Sequence, residues 1–233
     1  MIGSHNFNRR KIFGIAGGAI AAVIGGNWLY KYFAGTAPVK VNSFLEAGDG
    51  SKKNILILAG SARVGGNSDV MAQTFANGAK EAGHTVEIFN CAKKPFNGCL
   101  HCDLCWRDDR PCIQNDNFTQ LVPLLEKAQM LVVCSPLYWY NFSGQIKCAL
   151  DRLYPWSRKN RPADLPVREA MLLMCGESHF LRSFGGAAES WRQILGLKGW
   201  KDRGRLFATG INAYGAMEKS DYLKTITEMG RNA

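Results

Sequence analysis

The sequence predicts a three-layer α/β domain, in which helices cover both faces of a doubly wound, five-stranded parallel sheet of order 2-1-3-4-5. Two observations predict this class. Short continuous apolar runs, such as NILILAG (54–60) and MLVVCSP (130–136), are typical of strands buried on both faces. Segments with helical spacing alternate with these runs, and such alternation produces parallel strands joined by right-handed crossovers. The 233 residues suffice for one such domain and a tail.

The predicted elements follow one another in strict order along the chain. The strands are NILILAG (54–60), TVEIFN (85–90), MLVVCSP (130–136), EAMLLMCG (169–176) and RLFATG (205–210). The helices are the segments 68–83, 116–129, 143–154, 186–197 and 221–232, and Pro123 is expected to kink the second of them. Five such strands suit the flavodoxin-like topology, whose ligand binds at the carboxyl ends of the strands, beside the first and third.

The first 40 residues differ in composition from the rest. Arg9 and Arg10 precede an uncharged run, 12–30, which is the build of an export signal. The arginine pair resembles a twin-arginine signal. The uncharged run could also span a bilayer as an uncleaved anchor, and a buried helix is a third interpretation. We predict a signal peptide or membrane anchor over 1–37, a linker over 38–53, and an exported, extracytoplasmic domain over 54–233.

The formal net charge of +10 does not indicate a nucleic-acid partner. Residues 1–45 hold five basic and no acidic side chains, so half of the charge lies outside the predicted domain. The remaining residues, 46–233, carry 24 basic and all 19 acidic residues and have no dense basic run. We therefore predict no nucleic-acid binding.

The loop after the first strand, GSARVGGNSD (60–69), is a candidate phosphate site. Its small residues expose backbone N–H groups, and the N-terminus of the next helix favours an anion. It matches neither the nucleotide-triphosphate loop nor the dinucleotide-binding glycine fingerprint, and a tight turn with an ordinary helix cap is the alternative. The candidate phosphate ligands are Ser61, Arg63, Gly66, Asn67 and Ser68.

The loop after the third strand is rich in aromatic side chains. The run Pro136, Leu137, Tyr138, Trp139 and Tyr140 stands where a parallel strand ends, a poor place for core residues. These residues are suited to contacting a flat heterocycle. The segment CGESHFLRSFGG (175–186), which includes Gly176, could cover such a ring or admit a second ligand, or it could be a plain surface loop.

Both loops carry a family resemblance. GSARVGGNS resembles the G-S-x-R-x-x-G-N-[ST] phosphate loop of the NAD(P)H-dependent FMN reductase family; three residues, 64–66, separate Arg63 from Asn67, where shorter versions of the loop carry two. PLYWYNFSGQIKCALDRLYP resembles the P-x-Y-W-x-x-x-S-x-x-x-K-x-x-x-D-R segment of that family; the matching residues are Pro136, Tyr138, Trp139, Ser143, Lys147, Asp151 and Arg152. The resemblance covers residues 54–215. It implies FMN at the interface of a homodimer or higher homo-oligomer, and oxidoreductase activity with NAD(P)H.

Four cysteines, Cys99, Cys102, Cys105 and Cys112, stand in the pattern C-x2-C-x2-C-x6-C. The residues alone leave open a metal cluster, a zinc site, disulfides or free thiols. An iron–sulfur branch of the same family carries a C-x2-C-x2-C-x4-7-C motif between the second strand and the next helix. That resemblance implies that the four cysteines bind a [4Fe–4S] cluster.

The resemblance also implies the function. We expect an FMN-dependent oxidoreductase that takes hydride from NAD(P)H and reduces a flavin, quinone, metal or protein acceptor, with single electrons passing through a cluster if one is present. Because the cofactor supplies the chemistry, no catalytic His or carboxylate is predicted. The alternatives are an electron-transfer flavoprotein without a nicotinamide site and a non-catalytic, membrane-tethered redox sensor. We expect the helix segment from Lys147 to Arg152 to stabilise its own helix without touching substrate.

Overall fold

The computed structural model describes residues 43–46, 48–107, 111–157 and 164–233. The predicted signal or anchor, 1–37, lies outside the described residues, and so does the first part of the predicted linker. Within the described ranges, no helix combines the length and apolarity needed to cross a membrane.

The sheet confirms the predicted fold class. Its strands are β1 (Ser43–Leu45), β2 (Asn54–Ala59), β3 (Thr85–Asn90), β4 (Met130–Pro136), β5 (Glu169–Cys175) and β6 (Lys201–Ala208). They lie in the order β1-β6-β5-β4-β2-β3. The five strands β2 to β6 are all parallel, which is the predicted order 2-1-3-4-5. The additional strand β1 pairs antiparallel with β6, inside the segment predicted as a linker, and three residues are too few to show a sequence period.

Six α-helices connect and cover the strands in the described part of the chain. They are α1 (Asn67–Glu81), α2 (Leu104–Arg107), α3 (Phe118–Leu125), α4 (Gly144–Asp151), α5 (Gly185–Lys198) and α6 (Tyr222–Arg231). All but α2 were predicted, and Pro123 lies inside α3. The short helix α2 belongs to the cysteine segment and has no apolar period of its own. The described part of the chain also contains two 3-10 turns, Tyr154–Ser157 and Leu181–Phe184.

The core forms two layers because successive residues of a strand point to opposite faces of the sheet. Leu56 and Leu58 of β2 pack with Phe118 of α3 and Trp191 of α5 on one face. On the other face, the intervening β2 residues pack with α1 and α6. The carboxyl ends of β2 and β4 are left uncovered by these helices, so the loops that follow them meet at one edge.

The contact between α1 and α6 depends on glycine. A Cβ at Gly230 of α6 would lie 2.3 Å from the carbonyl oxygen of Phe75 and 2.9 Å from the amide nitrogen of Ala79. We therefore expect Gly230→Ala to lower the free energy of unfolding by about 3 kcal/mol, because neither backbone can yield. Urea denaturation followed by circular dichroism measures the change.

Gly196→Ala is the matched control, since Gly196 lies in α5 with open space around its Cα. It should raise the free energy of unfolding by up to about 1 kcal/mol through helix propensity alone. Equal stability changes in the two variants would contradict the close packing of α1 on α6.

Candidate functional site

The two predicted binding loops lie side by side at the carboxyl edge of the sheet. Strands β2 and β4 are neighbours, with Ala59 opposite Cys134. The N–H of Gly60, the first residue after β2, donates to the Cys134 carbonyl at 2.9 Å. A Cβ at Gly60 would lie 2.5 Å from the Ser143 hydroxyl oxygen, at the start of α4. Only glycine therefore lets the loop after β2 pass this close to the loop after β4.

The candidate phosphate loop ends in a helix N-terminus without a side-chain cap. Gly66 occupies the cap position of α1, and in the described part of the chain this helix end has no side-chain cap hydrogen bond. Those N–H groups lack intrahelical acceptors and carry the positive end of the helix dipole. The Arg63 side chain is exposed beside them. This arrangement can bind a phosphate through main-chain donors and one guanidinium.

Two of the predicted phosphate ligands have side chains that are already engaged. The Ser61 hydroxyl accepts from the Arg63 N–H at 3.2 Å and shapes the turn. The Asn67 amide group donates to the Ala213 carbonyl at 2.9 Å and accepts from the Met217 N–H at 3.1 Å. Asn67 thus ties the loop after β6 to α1, and its main-chain N–H is the group left for a ligand.

Ser68 lies beneath the loop rather than on its open side. Its side chain is 3% exposed and hydrogen-bonds the Cys175 thiol. The Cys134 thiol donates to the Ser68 carbonyl. Burial raises the pKa of Cys175 to about 12 and that of Cys134 well above its usual range. Both thiols therefore stay protonated and act as packing groups.

An acidic side chain shares the phosphate loop. Asp69 accepts from the Gly65 N–H at 3.0 Å, and the Lys93 ammonium lies 3.4 Å from the same carboxylate. The lysine balances the negative charge that would otherwise oppose an incoming phosphate. The Tyr214 hydroxyl donates to the Val64 carbonyl at 3.0 Å and closes the loop from the far side.

The aromatic run forms a strained, exposed turn. Tyr138 and Asn141 exchange two backbone hydrogen bonds, each 3.0 Å long. Trp139 and Tyr140 between them have φ values of 47° and 65°, a conformation that usually selects glycine or asparagine. The side chains of Tyr138, Trp139 and Tyr140 are 49%, 94% and 63% exposed. Strain combined with exposure at a sheet edge is typical of a ligand-binding turn.

The loop after β5 completes this edge. The last residue of β4, Pro136, lies opposite Cys175, and the Leu137 N–H donates to the Cys175 carbonyl at 2.8 Å. A Cβ at Gly176 would lie 2.8 Å from the Leu137 Cβ, so glycine is required there. A Cβ added at Gly186, at the start of α5, would lie 2.8 Å from the Tyr140 carbonyl oxygen. The structure therefore brings the predicted run 136–140 and Gly176 together.

The four motif cysteines line one cavity, and Cys105 among them lies in α2. His101 and Asp103, on either side of Cys102, have φ values of 51° and 55°. The His101 N–H points to the Cys99 sulfur at 3.4 Å. The left-handed residues turn the backbone so that thiols three positions apart face the same cavity.

The charges of these thiols interact. Burial raises the pKa of the Cys105 thiol, and the neighbouring sulfurs, with Cys112 first, raise it further. The eight cysteines of the chain, all of which the structure describes, are unpaired. Over the described ranges, no three or more His, Cys, Asp or Glu side chains converge closely enough for a single metal ion. An all-thiol donor set around one cavity fits a cluster better, because each thiolate then binds a separate iron.

Arg152 has a role that sequence reasoning missed. We expected the segment from Lys147 to Arg152 to stabilise its own helix, and Lys147 does pair with Asp151 at 2.6 Å within α4. Arg152, however, leaves the helix and binds the cysteine segment through Asp116 at 2.6 Å. Tyr214 and Lys93 were missed as well, because Lys93 lies 24 residues after its partner Asp69, and Tyr214 lies 150 residues after Val64. A search for polar residues just after the outer strands could have found Lys93.

The chain is similar in sequence to known flavoproteins and reductases. An iron–sulfur flavoprotein of Methanocaldococcus jannaschii is 33% identical over 120 residues, which are 51% of this chain and 59% of that protein. An FMN-dependent NADPH-azoreductase of Staphylococcus saprophyticus is 30% identical over 110 residues, 47% of this chain and 57% of that protein. The chain thus spans about half the length of the curated relatives that it matches.

Solved structures share the fold. An NAD(P)H:quinone oxidoreductase from Methanothermobacter marburgensis superimposes with a TM-score of 0.60 at 22% identity, covering 78% of this chain and 97% of that protein. An FMN-dependent NADH-azoreductase from Bacillus anthracis, solved with FMN, superimposes with a TM-score of 0.55 at 12% identity. The match covers 77% of this chain and 98% of that protein. Residues 53–210, well over half of the chain, match the family described as NADPH-dependent FMN reductase. The chain is a member of this NADPH-dependent FMN reductase family.

Proposed function

We propose that this protein is an FMN-dependent oxidoreductase that takes electrons from NADH or NADPH and passes them to a small-molecule or protein acceptor. The observation that carries the proposal is the adjacency of two loops at the β2/β4 edge. One offers an uncapped helix N-terminus with Arg63, and the other offers a strained turn of exposed aromatic residues. Family membership supports the same function.

Each loop has a separate task in this proposal. The first-turn N–H groups of α1 and the Arg63 guanidinium bind the FMN phosphate. The turn 138–140 and the backbone near Gly176 contact the flavin ring and shield it from water. FMN, when bound, accepts a hydride and returns electrons singly or in pairs, so no side chain of the chain needs to act as an acid or base.

We further propose that the four motif cysteines bind a [4Fe–4S] cluster. Their shared cavity, their all-thiol composition and the names of several relatives as iron–sulfur flavoproteins support this assignment. A cluster transfers one electron at a time, so it would divide the electron pair delivered by a nicotinamide.

The proposal also covers the assembly of the protein and its location in the cell. We propose a homodimer or higher homo-oligomer, supported by the family resemblance and by the exposed aromatic turn at the flavin edge. We also propose export through the Arg9-Arg10 signal, with or without a retained membrane tether. Size-exclusion chromatography with light scattering, and fractionation of cells expressing the full chain, would test these two proposals.

Anaerobic reduction of the purified holoprotein tests the proposed activity. Addition of NADH or NADPH should bleach the visible flavin absorbance within seconds, and a quinone or ferric acceptor should restore it. A second candidate, an electron carrier without a nicotinamide site, is favoured by relatives named only as iron–sulfur flavoproteins. Bleaching by dithionite, with none by either nucleotide, would contradict the reductase and favour the carrier.

A further inference from the structure

Arg152 joins α4 to both ends of the cysteine loop, which we define as residues 97–116. The arginine directly follows α4, and its side chain is 1% exposed. Its Nη1 donates to the two Asp116 carboxylate oxygens at 2.8 and 2.6 Å and to the Asn97 carbonyl at 3.2 Å. Its Nη2 donates to the Gln114 carbonyl at 3.4 Å. One guanidinium therefore holds the beginning and the end of the loop together.

Aromatic rings and an ionised carboxylate hold the guanidinium in this position. It lies 4.1 Å from the ring centroid of Phe118 and 5.8 Å from that of Phe96, so aromatic faces hold it from two sides. Burial alone would raise the pKa of Asp116, but hydrogen bonds, first among them the one from Arg152, hold it below its usual range. The carboxylate is therefore ionised at neutral pH and keeps its partner oriented.

Arg152 also lines the cavity that the four cysteines share. Its Nε is buried and has no hydrogen-bond partner among the residues that the structure describes. A buried N–H without an acceptor is destabilising, and such groups call for an explanation in a bound group or a function.

We infer that Arg152 is a positioning residue of the cysteine site: it holds the loop in the conformation in which the four thiols meet, and it places a fixed positive charge in the wall of their shared cavity. The inference deepens the proposed cluster site and rests on that proposal. Positive charge and N–H donors near a cluster stabilise its reduced, more negative state. Arg152 thus raises the reduction potential of the cluster.

Two measurements on the full-length holoprotein test the inference. The first is a redox titration of the cluster by electron paramagnetic resonance. Arg152→Met should lower the potential, and Arg152→Lys, which keeps the charge, should lower it less. The second is the rate of Cys99 and Cys112 alkylation after iron removal. Loss of the charged bonds in Arg152→Met should raise this rate by about tenfold or more.

Lys147→Gln is the matched control, because it removes a charge from the same helix without touching the loop. It should leave the potential and the alkylation rate unchanged. If Arg152→Met does not fold, Asp116→Asn keeps the arginine and removes its anchor, and it should still speed alkylation. Wild-type alkylation rates in both Asp116→Asn and any folded Arg152 variant would overturn the inference.

The two measurements also distinguish a failure of the inference about Arg152 from a failure of the proposed cluster. A wild-type protein that never holds iron would refute the cluster, and the alkylation rates would then decide the positioning role alone. A protein with iron whose potential is the same in Arg152→Met and wild type would retain the cluster and refute the effect of Arg152 on it.

Discussion

Replacing Gly66 by valine is expected to weaken FMN binding by about 100-fold, the equivalent of one to two charge-assisted hydrogen bonds. A Cβ at Gly66 would lie 2.9 Å from the Arg63 Cβ and 3.2 Å from the Arg63 carbonyl oxygen. The added side chain must displace Arg63, and the loop would move away from the N–H groups of α1. Fluorescence titration of the flavin-free protein measures the dissociation constant.

Comparing riboflavin with FMN tests whether the loss of affinity comes from the phosphate. Riboflavin lacks that group, so its affinity should change by less than about threefold in Gly66→Val, since no charged bond to it is lost. Gly144→Val is the matched control, because Gly144 begins α4 with open space at its Cα, and it should bind FMN normally. Equal losses of FMN and riboflavin in Gly66→Val would contradict a phosphate site in this loop.

The second large effect is expected at the cysteines. Cys105→Ser should remove nearly all of the iron, about four atoms per chain in a [4Fe–4S] protein. A serine hydroxyl is a poor iron ligand, and Cys105 is the buried member of the set, at 9% exposed. FMN content should be unchanged, because the loops after β2 and β4 do not contain this residue. Iron and flavin assays on the anaerobically purified variant measure both quantities.

Cys148→Ser provides the control for this variant. Cys148 lies on α4 beneath the cysteine loop, where a Cβ at Gly98 would lie 3.7 Å from its sulfur. It is half-buried but does not line the cavity of the other four thiols. It should keep the iron. Equal iron content in Cys105→Ser and Cys148→Ser would show that Cys105 is not a ligand.

The parallel core of the fold could be predicted because each strand carries its own signal. The strand Met130–Pro136 was predicted with the same bounds, since a strand buried on both faces must be apolar throughout. The antiparallel strand β1 was missed. It depends on its pairing with β6 and on the bond from Arg203 to the Glu46 carbonyl, and these long-range contacts leave no local pattern in three residues.

The candidate site was predictable in its loops but not in its contacts. Glycine and aromatic residues at strand ends mark where a ligand could bind, and the structure brings those loops together. The side chain of Asn67, however, binds the loop after β6. Arg152 reaches across 36 residues to Asp116. Such pairings are set by tertiary packing, and a helix-spacing argument detects only partners within the same helix.

Backbone strain was also beyond prediction. The left-handed conformations of Trp139 and Tyr140 contradict local preference, since bulky residues avoid positive φ. Both stand in segments that we assign to cofactor binding. Local rules fail where the surrounding structure imposes a conformation, and functional sites are where that is expected.

The most direct test is the content of FMN, iron and acid-labile sulfide in wild-type protein purified without air. We expect one FMN per chain and about four iron and four sulfide, the composition of a flavoprotein with one [4Fe–4S] cluster. Flavin with stoichiometric zinc, or with no metal, would contradict the cluster and leave a flavin-only reductase. Protein that neither contains nor takes up FMN would contradict the account as a whole.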